Sequence, residues 1–254
     1  MSIMWTVIQL LLFATTLNFY HNLTKRKKND TNIARKVSFI SGLFLLVLIF
    51  SYPMLNFSQS YFLVYMLQQT TLYFLVPILI LFGLNESLLM DFHIHPLINK
   101  IWKILTNPFV SLPLFNILFS LYFFPAIFNT VKVSPLLTII LTIIFILLSF
   151  VMWWPIVAPV KNGTTLSPLI KIIYIVGMGA FMTPLAAFLI FTNQILYYTY
   201  SVTNLSETLL LNDQQAGGVA MKIMQMLIYC FMIGIAFIEA QKEEEQNRGE
   251  ELSM

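Results

Sequence analysis

Apolar residues in this chain run in long unbroken blocks, not in the two-residue alternation of a half-buried strand or the single stripe of a surface helix. Seven blocks stand out, at about 3–20, 37–55, 61–84, 108–129, 135–154, 171–192 and 214–239. Each is close to the roughly 20 residues that a helix needs to cross about 30 Å of hydrocarbon. Lipid offers backbone groups no partner, so each block has to satisfy its own hydrogen bonds as a helix, and the alternating pattern of a barrel is absent. The pattern predicts an all-α fold, a polytopic membrane protein built as a seven-transmembrane helix bundle.

Charge sorts the ends of these blocks. Lys25, Arg26, Lys27, Lys28, Arg35, Lys36, Lys100, Lys103, Lys161, Lys171, Lys242 and Arg248 fall on one side, the opposite loops hold Lys132, and Lys222 lies inside the last block. A bias this steep predicts the N-terminus outside and the C-terminus in the cytoplasm. With 58% hydrophobic and 10% charged residues among 254, there is no room for a sizeable soluble domain. Residues 1–240 are therefore expected to form one transmembrane domain, and 241–254 an acidic, disordered tail carrying Glu243, Glu244 and Glu245. The net charge of +3 comes from the basic first loop. It reads as a topology signal and a contact with anionic lipid, and excludes a nucleic-acid surface. Ser2 to Tyr20 lacks a basic n-region and a small-residue cleavage site, so it reads as a retained first helix. A single cysteine, Cys230, excludes an intramolecular disulfide or an all-cysteine metal site.

Finer features follow from residue type. Leu97, Ile98, Ile101, Trp102 and Ile104 among Lys100 and Lys103 suggest an amphipathic segment at the inner surface, with Pro96 expected to interrupt any helix there. Tyr197, Tyr198 and Tyr200 suit the outer interface. Pro77, Pro113, Pro125 and Pro184 are expected to kink the third, fourth and sixth spans and free carbonyls for other partners. Asp91, His93 and His95 alternate in an inner loop, too few for a metal motif, and read as solvated.

Three segments carry polar chemistry. Tyr65-Met66-Leu67-Gln68-Gln69 lies in the third span, with Tyr65 and Gln69 on one face at i and i+4. Trp153-Trp154-Pro155 closes the fifth span, ahead of Leu166-Ser167-Pro168. Asp213-Gln214-Gln215-Ala216-Gly217-Gly218 opens the last, with a carboxylate near the positive end of a helix and glycines that permit close approach. In this order, from about Tyr61 to Met232, these segments resemble the CtaG family of cytochrome c oxidase assembly factors, bacterial seven-helix membrane proteins linked to maturation of copper-containing haem oxidases. The resemblance implies a non-enzymatic assembly factor of the respiratory chain in a bacterial plasma membrane, with terminal oxidase subunits and the lipid bilayer as partners. It also implies a histidine pair, His-x-x-Gln-His, in the third span. This chain has Tyr65 and Gln69 around the shared Gln68, and its three histidines, His21, His93 and His95, fall in inner loops. A phenol or an amide is a poor substitute for imidazole on copper, so no metal cofactor is expected.

Met178, Met182, Met221 and Met224 offer thioethers that suit Cu(I), but methionine more commonly fills gaps between helices. Lys222 sits some eight residues into the last span, where an amine costs at least about 2.5 kcal/mol unless it snorkels, pairs or meets water. Gln225, or Tyr65, Gln68 and Gln69 across the bundle, are candidate partners. On this reading Tyr65, Gln68, Gln69, Asp213, Gln214, Gln215 and Lys222 line a client-contact surface. The alternative is a transporter or binding protein for a small anionic or lipid-like solute held by Lys222. An enzyme lacks a constellation: no intramembrane Ser/His/Asp set or carboxylate pair is visible.

Overall fold

The computed structural model describes residues 2–26, 32–84, 96–157, 166–200 and 206–251. Among them every regular element is helical. The chain runs α1 (Ser2–Arg26), α2 (Ile33–Ile49), α3 (Tyr52–Ser60), α4 (Phe62–Gly83), α5 (Pro96–Leu105), α6 (Pro108–Tyr122), α7 (Pro125–Val133), α8 (Pro135–Val157), α9 (Pro168–Phe191) and α10 (Glu207–Glu251), with a 3₁₀ turn at Tyr198–Tyr200. Lys27, Lys28, Asp91, His93, His95 and Lys161 lie outside the described residues.

Helices α4, α8, α9 and α10 are each long and apolar enough to cross a membrane. The number of spans rises to six if α2 with α3 and α5 with α6, bent by 57° and 72°, each count as one. The expected third, fifth and sixth blocks match α4, α8 and α9 to within a few residues. The second block breaks instead at Phe50 and Ser51, and Pro53 falls in the first turn of α3, where its missing N–H costs nothing. The fourth breaks at Phe124, held extended (φ −64°, ψ 129°) by the ring of the following proline. Pro125 therefore starts α7 and does not kink a continuous span. Pro96 likewise opens α5 where an interruption was expected.

The broken ends expose carbonyls that have lost their helical donors, and long polar side chains meet them. Trp5 Nε1 donates to the Phe50 carbonyl at 2.9 Å, joined by the Gln9 amide, and Gln68 Nε2 donates to the Ile49 carbonyl at 2.9 Å. Inside α4, Pro77 has no N–H for the carbonyl of Tyr73, four residues earlier. The helix widens into a π turn at Thr71–Leu75, and Trp153 Nε1 supplies the missing donor to Tyr73 at 3.2 Å.

Helix α4 is the axis of the bundle, 61% of its most apolar stretch being buried, against 28% for α8 and α10. It packs against α2, α8 and α10, while α9 lies along α10. The core around it is aromatic. Phe62, Tyr65, Tyr73 and Phe74 of α4 meet Phe115, Phe119, Phe128 and Phe145, and Tyr122 meets Phe128 and Phe145, mostly edge to face at 5–7 Å, as ring quadrupoles favour. Large apolar side chains on the far faces point outward: Leu136, Ile173 and Leu227 are each about two-thirds exposed, as lipid-facing positions are.

One end differs from expectation. Helix α1 continues through the basic stretch to Arg26, so His21 sits on a helix, exposed, and not in a loop. Helix α10 runs for 45 residues to Glu251 and carries the acidic stretch after residue 240 on its last turns. Gln241 to Gln246 are good helix formers, and Arg248 pairs with Glu244 one turn back at 3.2 Å.

Candidate functional site

The Asp-Gln-Gln-x-Gly-Gly segment is a clamp on three neighbours. Asp213 is the seventh residue of α10, too far in to meet its own helix's free N–H groups. Its carboxylate accepts instead from Phe62 N at 2.6 Å and Leu63 N at 3.3 Å, the first turn of α4. Tyr61, at the cap position, makes no side-chain bond there, so Asp213 caps α4 from another helix and meets the positive end of its dipole. Gln214 accepts from Leu196 N at 2.8 Å and donates to the Gln194 carbonyl at 3.2 Å, and Gln215 donates to the Thr192 carbonyl at 2.8 Å. These two amides close the C-terminal end of α9 and fix the segment after it.

One turn on, the glycines set the spacing. A Cβ on Gly217 would stand 2.6 Å from the Phe62 ring, and one on Gly218 would stand 2.7 Å from Leu189 Cβ. Any larger residue would push α10 away from α4 and α9 together.

Beside the clamp, Tyr65 and Tyr122 share a hydrogen bond at 2.7 Å, Tyr197 donates to the Phe123 carbonyl at 2.8 Å and Tyr200 to the Ser58 carbonyl at 3.0 Å. Lys132 of α7, outside the spans counted above, reaches into this cluster. Its Nζ lies 3.6 Å from the centre of the Tyr65 ring, with the rings of Phe128 and Tyr200 at 5.6 and 5.7 Å. Ring faces attract the ammonium. No carboxylate pairs with it among the described residues. Burial outweighs the rings and lowers the amine from its usual 10.5 to about 7.

The sequence-predicted residues thus divide. Tyr65, Asp213, Gln214 and Gln215 gather at one end of the bundle. Gln68 is spent on the α2 bend, and Gln69 is buried on the same helix. Lys222 is elsewhere: its amine meets the Gly179 carbonyl at 3.3 Å and Thr183 Oγ1 at 3.0 Å on α9, next to Pro184, and neither Gln225 nor the α4 amides. A pocket shared by the α4 amides and this amine is not formed. Met178, Met182 and Met221 are buried core residues, and the Met224 sulfur accepts from Thr71 Oγ1 at 3.8 Å. Trp153 and Pro155 are buried, and Trp154 meets Trp102 of α5 edge to face at 5.0 Å, tying that amphipathic helix to α8.

Sequence reasoning missed Tyr122, Phe128 and the use made of Lys132. The signal was present: Phe128 and Lys132 are spaced i, i+4, one face of a helix if Pro125 is taken as its start.

At the positions where the family resemblance places imidazoles, the donor set is a phenol already bonded to Tyr122 and an amide. These residues do not fit a copper site. Among the described residues no three His, Cys, Asp or Glu side chains converge.

A helical bundle with several apolar spans, an aromatic core and helix ends closed from neighbouring segments defines a polytopic membrane protein with no catalytic constellation among its described residues. The family model for the cytochrome c oxidase caa3 assembly factor (Caa3_CtaG) matches residues 17–243, most of the chain, and the protein belongs to that family. No curated protein and no solved structure matches it.

Proposed function

We propose that this protein is a non-enzymatic assembly or maturation factor for a terminal respiratory oxidase, cytochrome c or quinol, in a bacterial plasma membrane, and that it works through helix contacts and holds no metal of its own. The observation that carries this reading is the pairing of family membership with the chemistry at Tyr65 and Gln69. The clamp at Asp213 to Gln215 and the caged Lys132 make the end of the bundle nearest them a rigid, polar-edged surface for contact with oxidase subunits. In the membrane the chain is arranged as seven spans, α1, α2 with α3, α4, α6 with the first turn of α7, α8, α9 and α10, with Lys132 beyond the fourth span and the N-terminus outside, as the basic residues favour.

Deleting the gene and recording reduced-minus-oxidised haem spectra and oxygen consumption of membranes tests the role: oxidase content should fall and return on complementation. Unchanged content would reject the proposal. Reporter fusions after Arg26, Ser134 and Met254 test the arrangement, with the first and last reporting inside and the middle one outside.

A further inference from the structure

Lys222 is used neither by the clamp nor by the aromatic cage. Gly179 and Thr183, which hold its amine, lie at and just past the midpoint of Pro168–Phe191. At 1.5 Å per residue the amine is therefore roughly 12–18 Å from the Phe191 end of α9. Around it Ala180, Thr183 and Pro184 of α9 and Val219, Ile223 and Met226 of α10 are exposed, so the half-buried lysine looks out of a groove between two helices. Among the described residues no carboxylate comes within ion-pair distance of it. Two neutral oxygens answer two of its three donors, and its charge is left uncompensated.

The posture of the side chain identifies what the groove takes. A lysine seeking water or a lipid headgroup extends along its helix to the interface. This one is drawn sideways to mid-helix, a depth that headgroup phosphates do not occupy but a carboxylate on another membrane-spanning helix does. We propose that the groove between α9 and α10 at Lys222 docks a transmembrane helix of another protein that carries an aspartate or glutamate at mid-depth. This rests on the assembly-factor reading, in which that helix belongs to the client.

Cys230, exposed and the single cysteine of the chain, takes a fluorescent donor. The probe is a synthetic polyleucine helix with an acceptor label and one central Asp, compared with Asn and Lys versions in phosphatidylcholine vesicles. Energy transfer should show the Asp helix binding about tenfold more strongly than the Asn helix. Lys222→Leu should remove that difference, and Lys222→Asp should shift the preference to the Lys helix. Equal binding of Asp and Asn helices, or a preference that survives Lys222→Leu, overturns the inference. So does a Lys222-dependent change in donor emission on adding phosphatidylglycerol without any helix, which would assign the groove to lipid. In cells, normal oxidase content with Lys222→Leu where deletion abolishes the oxidase defeats the docking site and leaves the assembly role standing. Normal content after deletion defeats the assembly role and leaves the vesicle result untouched.

Discussion

Removing the Asp213 carboxylate should loosen the start of α4, a helix that is the axis of the bundle, while leaving α10 itself intact. The carboxylate accepts two backbone N–H groups, at 2.6 and 3.3 Å, and no side chain at Tyr61 can take its place. Loss of a helix cap costs about 0.5–2 kcal/mol, and hydrogen bonds to a charged acceptor sit at the upper end of the ordinary range. Asp213 is half-buried, so about 2 kcal/mol is the expected loss for Asp213→Ala. Asp213→Asn keeps one acceptor but no charge and should lose about half of that. For a chain of this size 2 kcal/mol corresponds to a fall in Tm of about 4–8 °C. Thermal unfolding in detergent, followed by circular dichroism, reads the total, and amide hydrogen exchange locates it: protection should drop at Phe62 to Met66 and not at Leu210 to Gln214. Variants that melt within about 1 °C of wild type, or lose protection in α10 first, would show that α4 does not depend on this cap.

Gly217→Ala and Gly218→Ala should each destabilise by about 1–3 kcal/mol through overpacking, despite alanine's better helix propensity, because the new methyl meets Phe62 at 2.6 Å or Leu189 at 2.7 Å; denaturation in mixed detergent measures this. Trp153→Phe should cost about 1–2 kcal/mol by orphaning the Tyr73 carbonyl, and Pro77→Ala in that background should recover part of it by restoring a backbone donor, which a double-mutant cycle quantifies. In the folded bundle Lys132 keeps its proton only below about pH 7, whereas the unfolded chain keeps it to 10.5. The unfolded state therefore binds the extra proton across that window, stability rises with pH through it, and Lys132→Met should flatten the rise in a series of melts.

The spans were legible because lipid imposes one rule on every residue in them: long apolar blocks at 61–84, 135–154 and 171–192 became α4, α8 and α9. Breaks were harder, since a proline reads the same whether it sits inside a span behind a π turn, as Pro77 does, or starts a helix, as Pro125 does. The difference lies in whether a distant donor such as Trp153 arrives to meet the freed carbonyl, and that distance is 80 residues of sequence. The destinations of Tyr65, Gln68 and Gln69 were not legible, because period 3.6 places side chains on a face without naming what stands opposite. Lys132 was passed over because Pro125 to Val133 was read as the tail of one span and a loop. Its cage exists only once that stretch is helical. The name of the family came from motif order, which periodicity alone does not supply.

Helix α10 has a mechanical consequence. It is unbroken from the residue that grips α4 to its acidic tip, about 57 Å away at 1.5 Å per residue from Asp213 to Glu251. Pivoting at that grip by about 5° would swing the tip sideways by about 5 Å. Events at one membrane face would thus be felt as a lever's travel at the other, and a hinge cut into the rod beyond the Lys171–Glu239 ion pair would silence the far end without disturbing the near one.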